Sequence, residues 1–551
     1  MTLRLPRLLA LGMVASTSCF ALATNVEAAT SCADLSGKAI AAFAIGLPTT
    51  GARVRSTAIV QTPGPAPNDY CKVLGFISPV DPTAPEINFQ VNLPAKWNGK
   101  AVQYGGGGFN GTLTTGENTL RDAPPNIPSP LAQGFATFGT DSGHQASSLP
   151  EIQAFALNDE ALVNFAYASY KKTRDVAAAI IASRYDRAPS RVYYFGGSEG
   201  GREGLMMAQR FPADYDGVVS VVPVINWVAL QMSGTRSGIA QQNGGWLNAN
   251  KVTLLRKAVV AACDNLDGLA DGVISHYEGC GPAFNPATLR CRPGGEEGDQ
   301  CLPEAQLKAI NTLHSPYEFT FSLANGVTAY PGFGYGGEDQ PGGLLQWLTG
   351  TKPAALPSPP GSGYGQQWYF GNGAIRYFIM RDPAGDALTY SPDRHIDRLR
   401  HVSELMDATN PDLSPFLARG GKLIMKENMA DYAQSPFAGI NYYKSVVARM
   451  GQDVVDRFAR LYVVPGANHG GAGVSGTTGV PIPHYVDLLA MLDKWVEGQQ
   501  NPADGPALTA QATTAPFTVT ASRPMCRYPN FPKYNGTGDP NAAASFRCVP
   551  R

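Results

Sequence analysis

Residues Tyr193 to Pro212 read YYFGGSEGGREGLMMAQRFP. Glycines flank a single serine, Ser198, where a strand-forming run gives way to helix formers. Val192 to Phe195 are β-branched or aromatic, and residues 202–210 are mostly helix formers. Glycine serves where a chain turns sharply or another backbone comes close. Gly196, Ser198 and Gly200 fit the G-x-S-x-G nucleophile elbow, a strained turn that lifts a serine hydroxyl above a sheet. The helix that follows favours negative charge at its N-terminus. The pentapeptide alone recurs by chance in glycine-rich chains, where it is a turn with a capping serine. The strand before it and the helix after it favour the elbow.

Outward from this point the pattern repeats. KAVQYGGGGFNG puts four glycines, Gly105 to Gly108, after an apolar run, and GFATFGTDSGH reads as a strand ending at Asp141. Residues 160–185 have a helical period, and 217–223 form another strand. Strands alternating with helices predict a parallel α/β sheet. From about Trp227 to Arg400 this lapses into clustered cysteines, Pro-Gly runs and aromatics, the mark of an inserted domain. The alternation resumes with GGKLIMKEN and FARLYVVPGANH and closes on an amphipathic helix in VPIPHYVDLLAMLDKWVEG. The expected divisions are therefore 1–29, 30–226, 227–400 and 401–551, and there are no internal repeats.

An activated serine needs a base and a group to orient it. Of seven histidines, His469 sits in a loop just after an apolar strand and late in the chain, with His484 as runner-up. The order serine, acid, histidine asks for an acid between them. Asp431, just past the strand at 422–426, fits, and Glu427 is the close alternative. His144, near the end of the Asp141 strand, is placed to line the site. The Gly105–Gly108 loop is expected to supply a second oxyanion N–H beside that of Glu199.

CDNLDGLADG, Cys263 to Gly272, gathers Asp264, Asp267 and Asp271 within eight residues. Close carboxylates repel unless a hard cation neutralises them, and calcium takes 6–8 oxygens, carbonyls included. The spacing is not that of an EF-hand loop. A structural calcium is the expectation, against an acidic solvated turn.

The chain bounds the rest. Its 551 residues allow two or more cores, and a net charge of -1 gives no reason to expect nucleic acid or an acidic membrane as partner. Arg4 and Arg7 precede an apolar run from Leu8 to Ala23, followed by VEAA, so residues 1–29 read as an export signal cleaved near Ala28 or Ala29. The run is too short and too broken by Ser16, Thr17 and Ser18 for a membrane span of about 20 apolar residues. Cys19 would leave with the signal, and the other eight cysteines suit disulfides in an exported protein, secreted or periplasmic. Sequence alone does not fix their connectivity, though joining chain neighbours closes one local segment each. Asn110 and Asn535 head glycosylation sequons.

With LPAKWNGK, GGGGFNG, GGSEGGREGLMMAQRFPADYDGVV, CDNLDGLADGVI, GGKLIMKENMADYAQSP, VVPGANH and the RPMCRYP tail in view, nearly the whole chain resembles the tannase and feruloyl esterase family of secreted α/β-hydrolases. It is close to members that act on mono(2-hydroxyethyl) terephthalate. The resemblance implies an α/β-hydrolase fold whose insertion is a lid domain. It implies Ser198 as nucleophile, Asp431 as acid, His469 as base, and Gly108 and Glu199 as oxyanion donors. Calcium would be held by Asp264, Asp267 and Asp271 with the carbonyls of Leu269 and Val273. Disulfides would be Cys32–Cys71, Cys263–Cys280, Cys291–Cys301 and Cys526–Cys548. The implied activity is hydrolysis of small aromatic esters, feruloyl or galloyl, through an acyl-enzyme. A lid arginine of the terephthalate enzymes has no counterpart between Trp368 and Arg376, and Trp368, Tyr369 and Phe370 are candidates to stack on an aromatic acyl group. The family's cysteines beside the serine and the histidine, joined as a disulfide, are here Gly197 and Gly470. A Tyr-His-Gly-like run before the acid is here Lys426, Glu427 and Asn428, which sets Glu427 beside Asp431. These departures motivate the competing expectation of a non-catalytic binding protein on a hydrolase scaffold.

Overall fold

In the computed structural model, residue 2 and residues 30–62, 68–294 and 298–550 are described. The export signal and Cys19 lie outside them. A ten-stranded sheet organises the chain. Its strands are β1 (Ala39–Ile40), β2 (Gly51–Val60), β3 (Tyr70–Ser78), β4 (Ile87–Pro94), β5 (Lys100–Tyr104), β6 (Ala136–Thr140), β7 (Arg191–Gly197) and β8 (Gly217–Val221). A separate two-stranded ribbon, β9 (Tyr317–Glu318) and β10 (Ala329–Tyr330), lies in the insertion, and β11 (Lys422–Asn428) and β12 (Ala459–Val464) complete the large sheet. The order is β1-β2-β3-β4-β6-β5-β7-β8-β11-β12. The first four strands and β6 pair antiparallel along the chain, and from β6 through β12 the pairing is parallel.

The parallel half is covered on both faces, as its apolar strands require. Along β7 alternate side chains go to opposite sides. Val192 and Tyr194 join the core under the helices Ser169–Tyr185 and Glu199–Arg210. Tyr193 and Phe195 join the core under the helix Leu488–Val496. Among the described residues no strand of the large sheet lies between Val221 and Lys422. That segment contributes to two further apolar cores, one around Trp227, Trp368 and Phe378 that also takes in Phe109, Phe155 and Phe165, and another around Val252, Leu307 and Ile310. Its helices Trp227–Ala240 and Gln366–Ala374 pack at close range because Gly234, Gly238 and Gly371 line the seam. A Cβ on Gly238 would stand 2.3 Å from the Trp368 ring.

Four disulfides form, Cys32–Cys71, Cys263–Cys280, Cys291–Cys301 and Cys526–Cys548, the pairs that the family resemblance implied. No described helix is long and apolar enough to cross a membrane.

Candidate active site

The elbow explains its glycines. Ser198 sits at φ 60°, ψ −123°, a conformation that costs energy and holds only where the surroundings impose it. They do so through Ser198 N–H donating to Val221 O at 2.9 Å and Val224 N–H donating to Ser198 O at 3.2 Å. A Cβ on Gly196 would lie 2.1 Å from Gly200 O, and one on Gly200 would lie 2.7 Å from Gly106 O. The glycines therefore let the 105–108 loop rest on the first turn of the helix that Ser198 opens.

That loop is pinned from below by Glu203, one helical turn past Glu199. The Gly106 N–H, the Asn110 amide and the Tyr194 hydroxyl all donate to its carboxylate, at 2.9, 2.8 and 2.6 Å. Asn110 also accepts from Gly107 N–H at 2.6 Å and reaches Tyr170 Oη at 3.0 Å. Its amide is committed to this network, which accounts for the asparagine without a glycan. The Gly108 N–H has no acceptor among the described residues, and Glu199 as first helical residue has none within its helix. Both residues line one cavity with Ser198. The Glu199 side chain turns away to the buried Arg202 guanidinium, whose Nε donates at 2.8 Å. Burial raises the Glu199 carboxyl to about 7 against the lowering by Arg202.

His469 Nε2 is 2.8 Å from Ser198 Oγ, and His469 Nδ1 is 2.6 Å from Asp431 Oδ2. Asp431 is held by the N–H groups of Ala433 and Gln434, donating to Oδ1 at 2.7 and 3.1 Å. The structure thus brings Ser198, His469 and Asp431 together from three separate strand ends. The two alternatives lie elsewhere. His484 Nδ1 meets Ile482 O at 2.8 Å, and Glu427 accepts from the Gln434 amide at 2.8 Å rather than meeting the imidazole. Burial first, then the charge of Asp431, pushes the Glu427 carboxyl well above its usual range. His144 does not line the cavity. It is fully buried, stacked on Phe155 at 3.8 Å, and donates through Nε2 to Phe109 O at 2.7 Å.

The cavity, about 320 Å³, is walled by Phe109, Trp227, Trp347 and Phe370, with Gln231 and Arg121 as polar members. The three aromatics proposed from sequence separate here. Phe370 lines the cavity, 5.3 Å from the Phe109 ring. Trp368 does not, being 1% exposed with its indole N–H donating to Ala355 O at 2.9 Å. Tyr369 faces a neighbouring groove with Leu345 and Tyr364. Consecutive helical residues project about 100° apart, so a run of three cannot share one wall. Trp227 and Trp347 went unread in the sequence. Trp347 stands 5.3 Å from the His469 ring, edge to face.

At the first of the two positions without the family's cysteines, a Cβ on Gly197 would be 2.5 Å from Arg121 Nη1, so the arginine takes that space; at the second, a Cβ on Gly470 would meet only Asn468 Oδ1, at 3.2 Å. Asp122 packs on the next residue, where a Cβ on Gly471 would be 2.0 Å from its Oδ1. Buried Lys426 donates to Asp122 Oδ2 at 2.9 Å and to Asn428 Oδ1 at 2.7 Å. Asn428 in turn donates to Asn468 O at 2.8 Å, the carbonyl preceding His469. A polar chain thus ties Asp122, the acid strand and the histidine loop.

A family model described as tannase and feruloyl esterase matches residues 71–549. The chain belongs to that family. It is 38% identical over 560 residues to an uncharacterized esterase of Agrobacterium fabrum, covering 98% of this chain and 96% of that one. It is 32% identical over 530 residues to the mono(2-hydroxyethyl) terephthalate hydrolase of Piscinibacter sakaiensis, covering 87% and 85%. The crystal structure of feruloyl esterase B from Aspergillus oryzae superposes with a TM-score of 0.76 at 23% identity, covering 94% of this chain and 100% of that one. The protein is a carboxylic ester hydrolase of the tannase and feruloyl esterase type, with a small-molecule ester as substrate.

The calcium expected from the sequence falls on the acidic loop, which offers it a few oxygens without partners. Asp267 Oδ2 is buried without a well-formed hydrogen bond, and the Leu269 and Val273 carbonyls accept none among the described residues. Burial raises Asp267 to about 6 and raises Asp264 as well. Arg523 already meets Asp271 Oδ2 at 2.7 Å, and Gly272 N–H donates to both Asp264 oxygens. Among the described residues no three acidic, histidine or cysteine side chains gather into a metal centre. The loop braces the histidine segment: Ser475 Oγ donates to Asp271 O at 2.6 Å, and Gly476 N–H donates to Gly272 O at 2.9 Å.

Proposed function

We propose that the protein is a serine esterase of α/β-hydrolase type, with the 227–400 segment as a lid, that cleaves aromatic esters through an acyl-enzyme. The reading is carried by the Ser198–His469–Asp431 relay at 2.8 and 2.6 Å. His469 Nε2 takes the hydroxyl proton as Ser198 Oγ bonds to the ester carbonyl carbon. The imidazolium that forms is steadied by Asp431. The oxyanion is met by the N–H groups of Gly108 and Glu199, in a site where such donors are worth more than in water. Collapse breaks the bond to the alcohol oxygen, which leaves with the proton from His469. Water, deprotonated by the same imidazole, then attacks the acyl carbon and releases the acid and free Ser198.

An aromatic acyl group is supported by the walls of Phe109, Trp227, Trp347 and Phe370, with the Gln231 amide as a polar contact. Feruloyl- and galloyl-type esters suit such a cavity. The four disulfides support export, secreted or periplasmic. Calcium bound by Asp264, Asp267, Asp271 and the carbonyls of Leu269 and Val273 would neutralise the loop that supports the histidine segment. The experiment is hydrolysis of methyl ferulate, methyl gallate and simple aryl esters by wild type and Ser198→Ala. Turnover confined to the wild type is expected. An alanine variant as active as wild type contradicts the relay.

A further inference from the structure

We propose that Arg121 makes the cavity selective for esters that carry a second, anionic group, a free carboxylate above all. The inference rests on the ester-hydrolysis reading and adds the charge of the substrate to it. Arg121 lines the cavity that holds Ser198, with Nη1 against Gly197. Its guanidinium has no hydrogen-bond acceptor and no carboxylate within 4.0 Å among the described residues, and its Nε is sealed from solvent without a partner.

The neighbouring charges are already matched. Lys426 is paired with Asp122, Glu199 with Arg202, and His469 with Asp431. Arg121 is thus the cation of the cavity wall whose charge is uncompensated among the described residues. A guanidinium offers a planar fork of donors that fits a carboxylate through two parallel hydrogen bonds, and partial burial weakens the competition from water.

The position is built rather than incidental. The next residue, Asp122, has φ 63°, in the left-handed region, and is fixed there by Lys426 and by Val486 N–H donating to its carbonyl at 2.7 Å. Gly197 leaves the volume that the guanidinium occupies, since a Cβ there would stand 2.5 Å from Nη1. The glycine that removes the family's loop disulfide therefore also admits the arginine to the cavity. On the insertion side, Arg376 is spoken for by Glu151 and does not line the cavity.

The test compares kcat/KM for the three monomethyl esters of benzenedicarboxylic acid, each with a free carboxylate, against methyl benzoate. For the isomer that wild type prefers, Arg121→Leu is expected to lower the ratio of anionic to neutral ester by about tenfold or more, the weight of a charge-assisted hydrogen bond. Arg121→Lys, which keeps the charge but not the fork, should fall between. A ratio that holds at the wild-type value for all three isomers, whether or not the rates themselves fall, overturns the assignment. The same comparison by calorimetric binding in the Ser198→Ala background needs no turnover. It reads Arg121 even if the relay fails: weaker binding of the monoesters on Arg121→Leu supports the proposal, and unchanged binding contradicts it.

Discussion

Gly200→Ala puts the oxyanion loop under direct test. An alanine Cβ would stand 2.7 Å from Gly106 O and 2.9 Å from Gly105 C, both backbone atoms that no rotamer change can move. Unstrained contacts of carbon lie at about 3.5–4.0 Å, so the loop must retreat from the helix. Gly106 is where the Glu203 carboxylate grips the loop, and Gly108, at φ 61°, lies two residues beyond. The retreat carries the Gly108 N–H away from the oxyanion. Loss of one such donor costs about 3 kcal/mol, or roughly 10²–10³ in kcat. Overpacking itself costs about 1–3 kcal/mol of stability, which a 551-residue protein with four disulfides should survive. The assay is kcat and KM on a soluble aryl ester, with a thermal melt to show that the variant is folded. The expected result is a folded protein with a hundredfold lower kcat, roughly, and a little-changed KM. A folded variant with wild-type kcat would refute the placement of the donor.

Glu427→Gln should leave kcat nearly unchanged because Glu427 meets the Gln434 amide and not the imidazole and burial favours its neutral form, whereas Asp431→Asn should cost about 10⁴ in kcat by spoiling the imidazole tautomer; steady-state kinetics on one ester separates them. Lys426→Met strands the Asp122 carboxylate in the interior and should lower stability by about 3–5 kcal/mol, read by denaturant melts. Burial raises the Asp407 carboxyl to about 7, above its unfolded value, so its stabilising contribution is full below the unfolded range and is lost as pH rises through about 7. Asp407→Asn should therefore flatten the fall in melting temperature across that window, by an amount worth up to about 4 kcal/mol. Excess chelator should lower the melting temperature and added calcium restore it, since a ligand bound to the native state stabilises it; an unchanged melt with no metal bound by elemental analysis goes against the site.

Much of the reactive centre was legible because its demands are local. A strained serine turn needs glycines at fixed offsets, and strand ends followed by an acid and a histidine in the right order narrow the choice. Asp431 and Glu427 separate only in the fold, where the imidazole meets the first and the Gln434 amide meets the second. The antiparallel half of the sheet, β1 to β4, was not read, because nothing chemical marks it and its register is set by partner strands. Trp368 misled because neighbours in sequence diverge on a helix. Arg121 and Trp347 carry no motif and reach Ser198 only through the long-range path of the chain. His144 sits near the right strand end but is consumed by packing on Phe155.

The most direct measurement is intact and peptide mass spectrometry after treatment with a fluorophosphonate. A single phosphonyl adduct on the peptide holding Ser198, abolished in His469→Ala and absent in Ser198→Ala, is the result expected. A folded wild-type protein that remains unmodified at Ser198, while it still hydrolyses esters, would contradict the account.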